Sequence, residues 1–166
     1  EAAAAELVLR QHFGIGQAGR DFGAHRFDVG TVGEVNALVG RLILADALTH
    51  AAREGATRII DMATLTGAIV VALGEVYAGL FGSDDEWTAL IREAGEESGD
   101  LAWPMPLHER YAPLIKSQVA DLTNSSNKRQ AGAVYAAQFL REFTEDVPWA
   151  HVDIAGTGMI GGKGTG

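Results

Sequence analysis

Apolar residues recur along this chain with two different periods, and each period predicts a class of element. In residues 36–53 they fall three or four positions apart, which is the spacing of one buried helix face. The same spacing predicts a helix over residues 130–143, with an inner stripe of Ala133, Ala136, Ala137, Leu140 and Phe143. Short apolar runs predict buried strands over residues 57–63, 76–81 and 149–154.

Other segments carry weaker patterns. The alanine-rich start predicts a helix over residues 2–12. Residues 66–73 are apolar all round, which fits either a buried helix or a buried strand. Ser83 and Glu86 have the spacing of a capping box and predict a helix over residues 83–97. Shorter extended or helical segments are expected at residues 24–29, 101–107 and 109–115.

The order of these elements predicts the fold class. Strands that alternate with helices of about 10–18 residues are typical of the α/β class, with helices packed on a sheet. The strongly apolar strands indicate a sheet that is covered on both faces. The 166 residues fit one domain. A chain of this length buries roughly 70% of its unfolded surface.

Charge and composition argue against several partners. The net charge of −9 disfavours nucleic acid, whose phosphates bind basic surfaces, and anionic membranes. Without cysteine the chain has neither disulfides nor thiolate metal sites. Residues 1–5 lack the features of a signal peptide, and the apolar run 68–73 is too short to span a bilayer. A cytoplasmic location is therefore expected.

A glycine-rich segment matches the dinucleotide-binding fingerprint G-x-G-x-x-G between Gly14 and Gly19. That fingerprint binds a pyrophosphate where a strand precedes it and a helix follows it. Here an alanine-rich segment precedes it and charged residues follow it. The context favours a flexible loop over a cofactor site.

Four polar residues in apolar segments carry candidate chemistry. His151 and Asp153 stand two apart in a predicted strand, so they face the same side and offer an imidazole and a carboxylate to zinc. A buried pair satisfied by neighbouring backbone is the simpler interpretation, because no other residues have matching ligand spacing. Asp61 is expected to accept hydrogen bonds from N–H groups of the next loop. Arg41 lies beside the apolar stripe of its helix and is expected to be solvated.

Longer segments match one known family in consecutive order. They read GRLILADALT (residues 40–49), IDMATLTGA (60–68), VALG (71–74), YAGLF (77–81), PLH (106–108), ADL (120–122), AGA (131–133) and PWAHVDIAGT (148–157). On these segments the chain resembles the leucyl (cytosol) aminopeptidases. We expect a single domain over residues 1–166, with a divergent segment at 1–35 and an aminopeptidase-like core at 36–166.

The resemblance implies a fold and an activity. The family has a mixed β-sheet between helix layers, assembles as hexamers and removes N-terminal residues from peptides. Two divalent ions, zinc or manganese, activate a bridging water in this family. By position, Arg41 matches an arginine that helps to hold a bicarbonate base. Leu65 and Gly67 match backbone groups that hold the substrate, with Thr64 beside them.

The motif that supplies metal ligands in the family is altered here. Alignment on residues 40–42 places Ala37 and Val39 where the family has an aspartate and a glutamate. Neither side chain has a lone pair, so neither binds a divalent ion. The family's block of a lysine and two aspartates is not recognisable in residues 1–35, where Asp28 alone gives a faint similarity to one ligand segment.

These observations predict a relative of leucyl aminopeptidase that is inactive or impaired and binds no metal. Its substrates, if it were active, would be peptide N-termini, and a homo-oligomer is expected. A non-catalytic scaffold or oligomer-partner module is one alternative. A new metal site built on His151 and Asp153 is another.

Overall fold

The computed structural model describes residues 6–10, 27–28, 35–124 and 130–158, with side chains from residue 39 onward. Its helices are α1 (Val35–Arg53), α2 (Gly67–Leu73), α3 (Asp85–Ser98), a 3₁₀ helix (Glu109–Ile115) and α4 (Gly132–Arg141). Its strands are β1 (Glu6–Arg10), β2 (Phe27–Asp28), β3 (Arg58–Ala63), β4 (Ala78–Gly82), β5 (Ala102–Pro104), β6 (Leu122–Thr123) and β7 (Trp149–Asp153). The G-x-G-x-x-G segment lies outside the described residues.

The larger sheet of the described strands is mixed and has β7 at its centre. Its order is β1-β3-β7-β4-β5. β1, β3 and β7 run parallel, β4 is antiparallel to β7, and β5 is parallel to β4. A separate parallel pair joins β2 to β6. Parallel neighbours need long connections, and helices supply them here.

Alternate strand residues face two separate apolar layers. Ile59 and Trp149 point into a core that they share with residues of α1, α2 and α4. Leu80 and Val152 point to the opposite face and pack in a second cluster with Trp87 of α3. The α/β class and the mixed sheet between helix layers are therefore confirmed.

Helix α1 confirms the helix expected over residues 36–53. Leu44, Leu48 and Ala51, which recur every three or four positions, are each at most 2% exposed. The helix is followed by Gly55 with φ of 85°, the left-handed conformation that ends helices. The N–H of Ala56 donates to the carbonyl of Ala51 at 3.1 Å across this turn.

Tertiary structure settles the ambiguous apolar run 66–73, which forms α2. Its N-cap is Thr66, whose hydroxyl accepts the N–H of Ile69 at 3.1 Å. Helix α4 lies within the predicted range 130–143, and the whole predicted stripe is buried. Since all eight residues from Ala133 to Leu140 are buried, α4 is enclosed on every side.

Two local predictions were wrong. The expected helix over residues 2–12 is contradicted by β1, which pairs in parallel with β3 from Glu6 to Arg10. Hydrogen-bonded pairing with β3 overrides the helix propensity of the neighbouring alanines. The N-cap of α3 is Asp84, whose carboxylate accepts the N–H of Trp87 at 2.8 Å. Ser83 instead accepts the N–H of Trp149 at 3.0 Å and joins β4 to β7.

Candidate active site

The carboxyl ends of β3 and β7 meet at one edge of the sheet, because the two strands are parallel neighbours. At this edge Ala63 and Asp153 are register partners. Helix α1 packs on β3 and runs back along it, since a short turn joins the two. From Arg53 back to Arg41 the helix rises about 18 Å, about the length of β3. Arg41 therefore lies towards the same edge, where open α/β sheets bind ligands.

Asp153 ties this edge to the loop that follows β3. Its Oδ1 accepts hydrogen bonds from the backbone N–H groups of Leu65 (3.0 Å), Thr66 (3.4 Å) and Ala155 (3.2 Å). Its Oδ2 accepts the Thr66 hydroxyl at 2.6 Å. The side chain is almost fully buried. These contacts supply the partners that a buried carboxylate requires.

The residues expected to hold substrate lie in this loop, in three environments. Thr64 is exposed, Leu65 is buried in the core beneath it, and Gly67 opens α2 at the surface. A Cβ added to Gly67 would have no neighbour within 4 Å, so the space beside it is open. Their role with substrate stays a prediction. Thr66 was missed, because its hydroxyl gains a role only once Asp153 is brought beside it.

Arg41 is buried, and its expected solvation was wrong. Its Nε donates to Oδ1 of Asn124 and one terminal N–H donates to the Asn124 carbonyl, each at 2.7 Å. The guanidinium lies 6.0 Å from the ring centroid of Tyr135, whose hydroxyl donates to the Thr123 carbonyl at 2.6 Å. A buried guanidinium requires such partners. Asn124 could not be found from the sequence, because it lies 83 positions from Arg41.

Asp61, His151 and Trp149 form a buried polar cluster on β3 and β7. Oδ1 of Asp61 lies 2.6 Å from Nδ1 of His151, and its Oδ2 accepts the indole N–H of Trp149 at 2.6 Å. The prediction that Asp61 serves the next loop was therefore wrong, and Asp153 does so instead. The His151 ring stacks between Phe81 and Trp149, with centroids 6.1 and 6.3 Å away.

The charge state of His151 reflects competing influences. Burial disfavours the imidazolium and by itself lowers the pKa of His151. Two influences raise it: the charge and hydrogen bond of Asp61, and the charge of Asp153. Their sum exceeds the effect of burial, so the pKa of His151 lies above its usual value of 6.5. Nε2 of His151 is buried and has no hydrogen-bond partner among the described residues.

The described residues do not fit the metal pair of the resembled family. They contain no group of three or more His, Asp or Glu side chains that could hold a metal ion. His151 and Asp153 do face the same side, but Nδ1 of His151 binds Asp61 and both oxygens of Asp153 bind the loop. The backbone of Asp28 pairs with Thr123, next to Asn124. Its side chain is outside the described set.

A cavity of about 540 Å³ opens at the other edge of the sheet. It is lined by residues around the amino end of β7, including Pro148, Ser83 and Asp84. This places it away from Asp153 and the loop after β3.

Among the described helices, none has both the length and the apolarity that crossing a membrane requires.

Comparison with known proteins gives one consistent result. The family model described as "Cytosol aminopeptidase family, catalytic domain" matches residues 32–166. A probable cytosol aminopeptidase of Bordetella avium is 53% identical over 127 residues, 76% of this chain and 25% of the relative. Similarly named proteins are 51% identical in Roseiflexus castenholzii over 124 residues and 50% in Legionella pneumophila over 124, covering 75% of this chain and 25% and 26% of those relatives.

The chain therefore spans about a quarter of the length of the curated relatives it matches. The match covers α1, the loop after β3, β7 and Asp153, which are the elements that build the edge described above. The family model matches well over half of the chain, and several relatives are at least 50% identical to it. The chain belongs to the cytosol aminopeptidase family and carries part of its catalytic domain.

Proposed function

We propose that this chain keeps the peptide-binding edge of a cytosol aminopeptidase but does not by itself hydrolyse peptides. The observation that carries the proposal is the contrast within one helix. Arg41 is present and held by Asn124, whereas Ala37 and Val39 stand at the two ligand positions of the same motif. Methyl and isopropyl groups offer no oxygen or nitrogen to a dication.

Binding of a peptide N-terminus is the function that the remaining residues support. The loop after β3 offers backbone groups at Leu65 and Gly67, and the space beside Gly67 is open. Arg41 supplies a fixed positive charge towards the same edge. In the family two divalent ions, zinc or manganese, supply the activated water. This chain's own residues would bind and orient the peptide without that step.

The experiment is a peptidase assay of the purified chain with manganese or zinc and a chromogenic leucine amide. We expect turnover no higher than in a blank without protein, and an assay of a full-length cytosol aminopeptidase serves as positive control. Metal-dependent turnover well above the blank would contradict the proposal.

A leucyl peptide added to the isotope-labelled chain is expected to shift the amide signals of Leu65 and Gly67.

A non-catalytic oligomer partner is the second candidate function. Val39 is 48% exposed and Ile43 is 40% exposed. Being four residues apart on α1, they share one face of the helix. Apolar side chains grouped on a surface favour contact with another chain. Light scattering is expected to give a mass above that of the monomer, and a monomer at high concentration would exclude this role.

The compartment is part of the same proposal. The relatives are named cytosol aminopeptidases, and we carry that location over to this chain. The net charge of −9 supports a protein without nucleic acid partners.

A further inference from the structure

We propose that Asp153 is a positioning residue that sets the direction of the substrate-binding backbone groups in the loop after β3. The inference rests on the proposed peptide-binding role of that loop. It assigns to Asp153 neither a metal nor a step of catalysis. Its basis is the set of four hydrogen bonds from the loop and its neighbour Ala155 to one buried carboxylate.

Peptide geometry converts these bonds into a direction. In a trans peptide the N–H and the C=O point in opposite directions. The N–H of Thr66 points to Oδ1 of Asp153, so the carbonyl of Leu65, in the same peptide unit, points away from Asp153. The N–H of Leu65 likewise turns the carbonyl of Thr64 away from Asp153. The carboxylate therefore turns two successive carbonyls away from itself.

The hydroxyl of Thr66 extends this control to Gly67. Thr66 donates to Oδ2 of Asp153 and accepts the N–H of Ile69. One hydroxyl therefore links the carboxylate to the first turn of α2, in which Gly67 is the first residue. The same turn orients the backbone groups of Gly67, whereas Leu65 is tied to Asp153 directly by its own N–H. Asp153 itself is held on the central strand β7.

The chemistry requires a carboxylate rather than another acceptor of similar size. An ionised carboxylate accepts at both oxygens, whereas an asparagine amide accepts at one and donates at the other. In Asp153→Asn the amide N–H groups would face either the loop N–H groups, donor against donor, or the Thr66 hydroxyl, which would then accept instead of donating. Bonds to a charged acceptor are also roughly twice as strong as neutral ones.

The test compares amide hydrogen exchange in the loop of the free chain, read by NMR. In Asp153→Asn we expect the Leu65 and Thr66 amides to exchange about tenfold faster, with amides of β3 unchanged. Thr66→Val removes the hydroxyl at nearly constant volume and should likewise speed exchange of the Ile69 amide. Thr66→Ser restores the hydroxyl and should restore protection. Asp84→Asn is the matched control, because it makes the same substitution at a carboxylate that caps α3 and leaves this loop intact.

Unchanged exchange at Leu65 and Thr66 in folded Asp153→Asn would overturn the inference, as would equal behaviour of Thr66→Val and Thr66→Ser. If Asp153→Asn fails to fold, exchange of the Leu65 amide in the two Thr66 variants decides the outcome, because that amide bonds to Asp153 and not to Thr66. Titration with a leucyl peptide separates this inference from the proposed function. No shift in the unmodified chain would remove the peptide-binding role, whereas the exchange data would still decide whether Asp153 orients the loop. Weaker peptide binding by Thr66→Val than by Thr66→Ser supports the positioning role.

Discussion

At the residue scale, the buried charges of this chain are placed in specific pairs. Asp61, His151 and Asp153 are at most 1% exposed, and Arg41 is 5% exposed. An unpaired charge at such depth costs several kcal/mol or shifts its pKa. Arg41 binds Asn124, Asp153 binds the loop, and Asp61 binds His151 and Trp149. These partners offset the cost of burying the charged groups.

The His151–Asp61 pair predicts a pH-dependent stability. A folded-state pKa raised above its unfolded value contributes stability that is present at low pH and lost as pH rises through the folded pKa. Asp61→Asn removes the main opposing charge, so burial should then lower the pKa. We expect its destabilisation, measured by urea unfolding, to be larger at pH 6 than at pH 9.

Thr144→Val is the control for this experiment, because Thr144 is buried and its hydroxyl donates to the carbonyl of Arg141, a bond that involves no titratable group. Its effect should be equal at both pH values. An Asp61→Asn penalty that is the same at pH 6 and pH 9 would show that Asp61 does not raise the pKa of His151.

At the element scale, the sequence predicts where a helix lies, whereas the residue at which it begins depends on contacts with neighbouring elements. The polar residue before α3 that caps it is Asp84, although Ser83 has the capping-box spacing. Ser83 lies opposite Trp149 on β7, and both its backbone and its side chain bond there. A residue engaged across the sheet is not free to cap the helix, so the next polar residue does so.

Substitution of the two candidate caps distinguishes these roles. Asp84→Ala should destabilise the fold by about 1 kcal/mol and speed exchange at Trp87, whose N–H donates to the Asp84 carboxylate. Ser83→Ala should instead speed exchange at the Trp149 amide and leave Trp87 protected. Hydrogen exchange read by NMR gives both results in one experiment. The reverse pattern would restore Ser83 as the cap.

At the scale of the whole molecule, the central strand β7 joins the two layers and carries the candidate site at its carboxyl end. The chain that leaves this end passes very close to the end of α2. A Cβ added to Gly156 would overlap the carbonyl oxygen of Gly74, a backbone atom that cannot move aside alone. Glycine at 156 is thus a packing requirement between distant parts of the chain.

Gly156→Ala therefore tests how α2 sits against β7. We expect a loss of about 1–3 kcal/mol in the free energy of unfolding, as overpacking costs in dense interiors. Gly67→Ala is the matched control, because a Cβ there meets nothing within 4 Å and the residue lies in a helix. Its effect on urea unfolding should be a gain of up to about 1 kcal/mol, because alanine restricts the unfolded chain without strain in the folded one. Equal stability of the two variants would mean that the chain near Gly156 relaxes freely.

The sequence by itself determined the α/β class, the positions of α1, α4 and the central strands, and the family, because periodicity and contiguous motifs are local properties. It also showed that Ala37 and Val39 offer no metal ligands, since donor chemistry is a property of residue type. Only the tertiary structure decided that residues 6–10 form a strand and residues 67–73 a helix, and that Asn124 holds Arg41. Those features depend on partners tens of residues away, whose approach depends on packing of the whole chain.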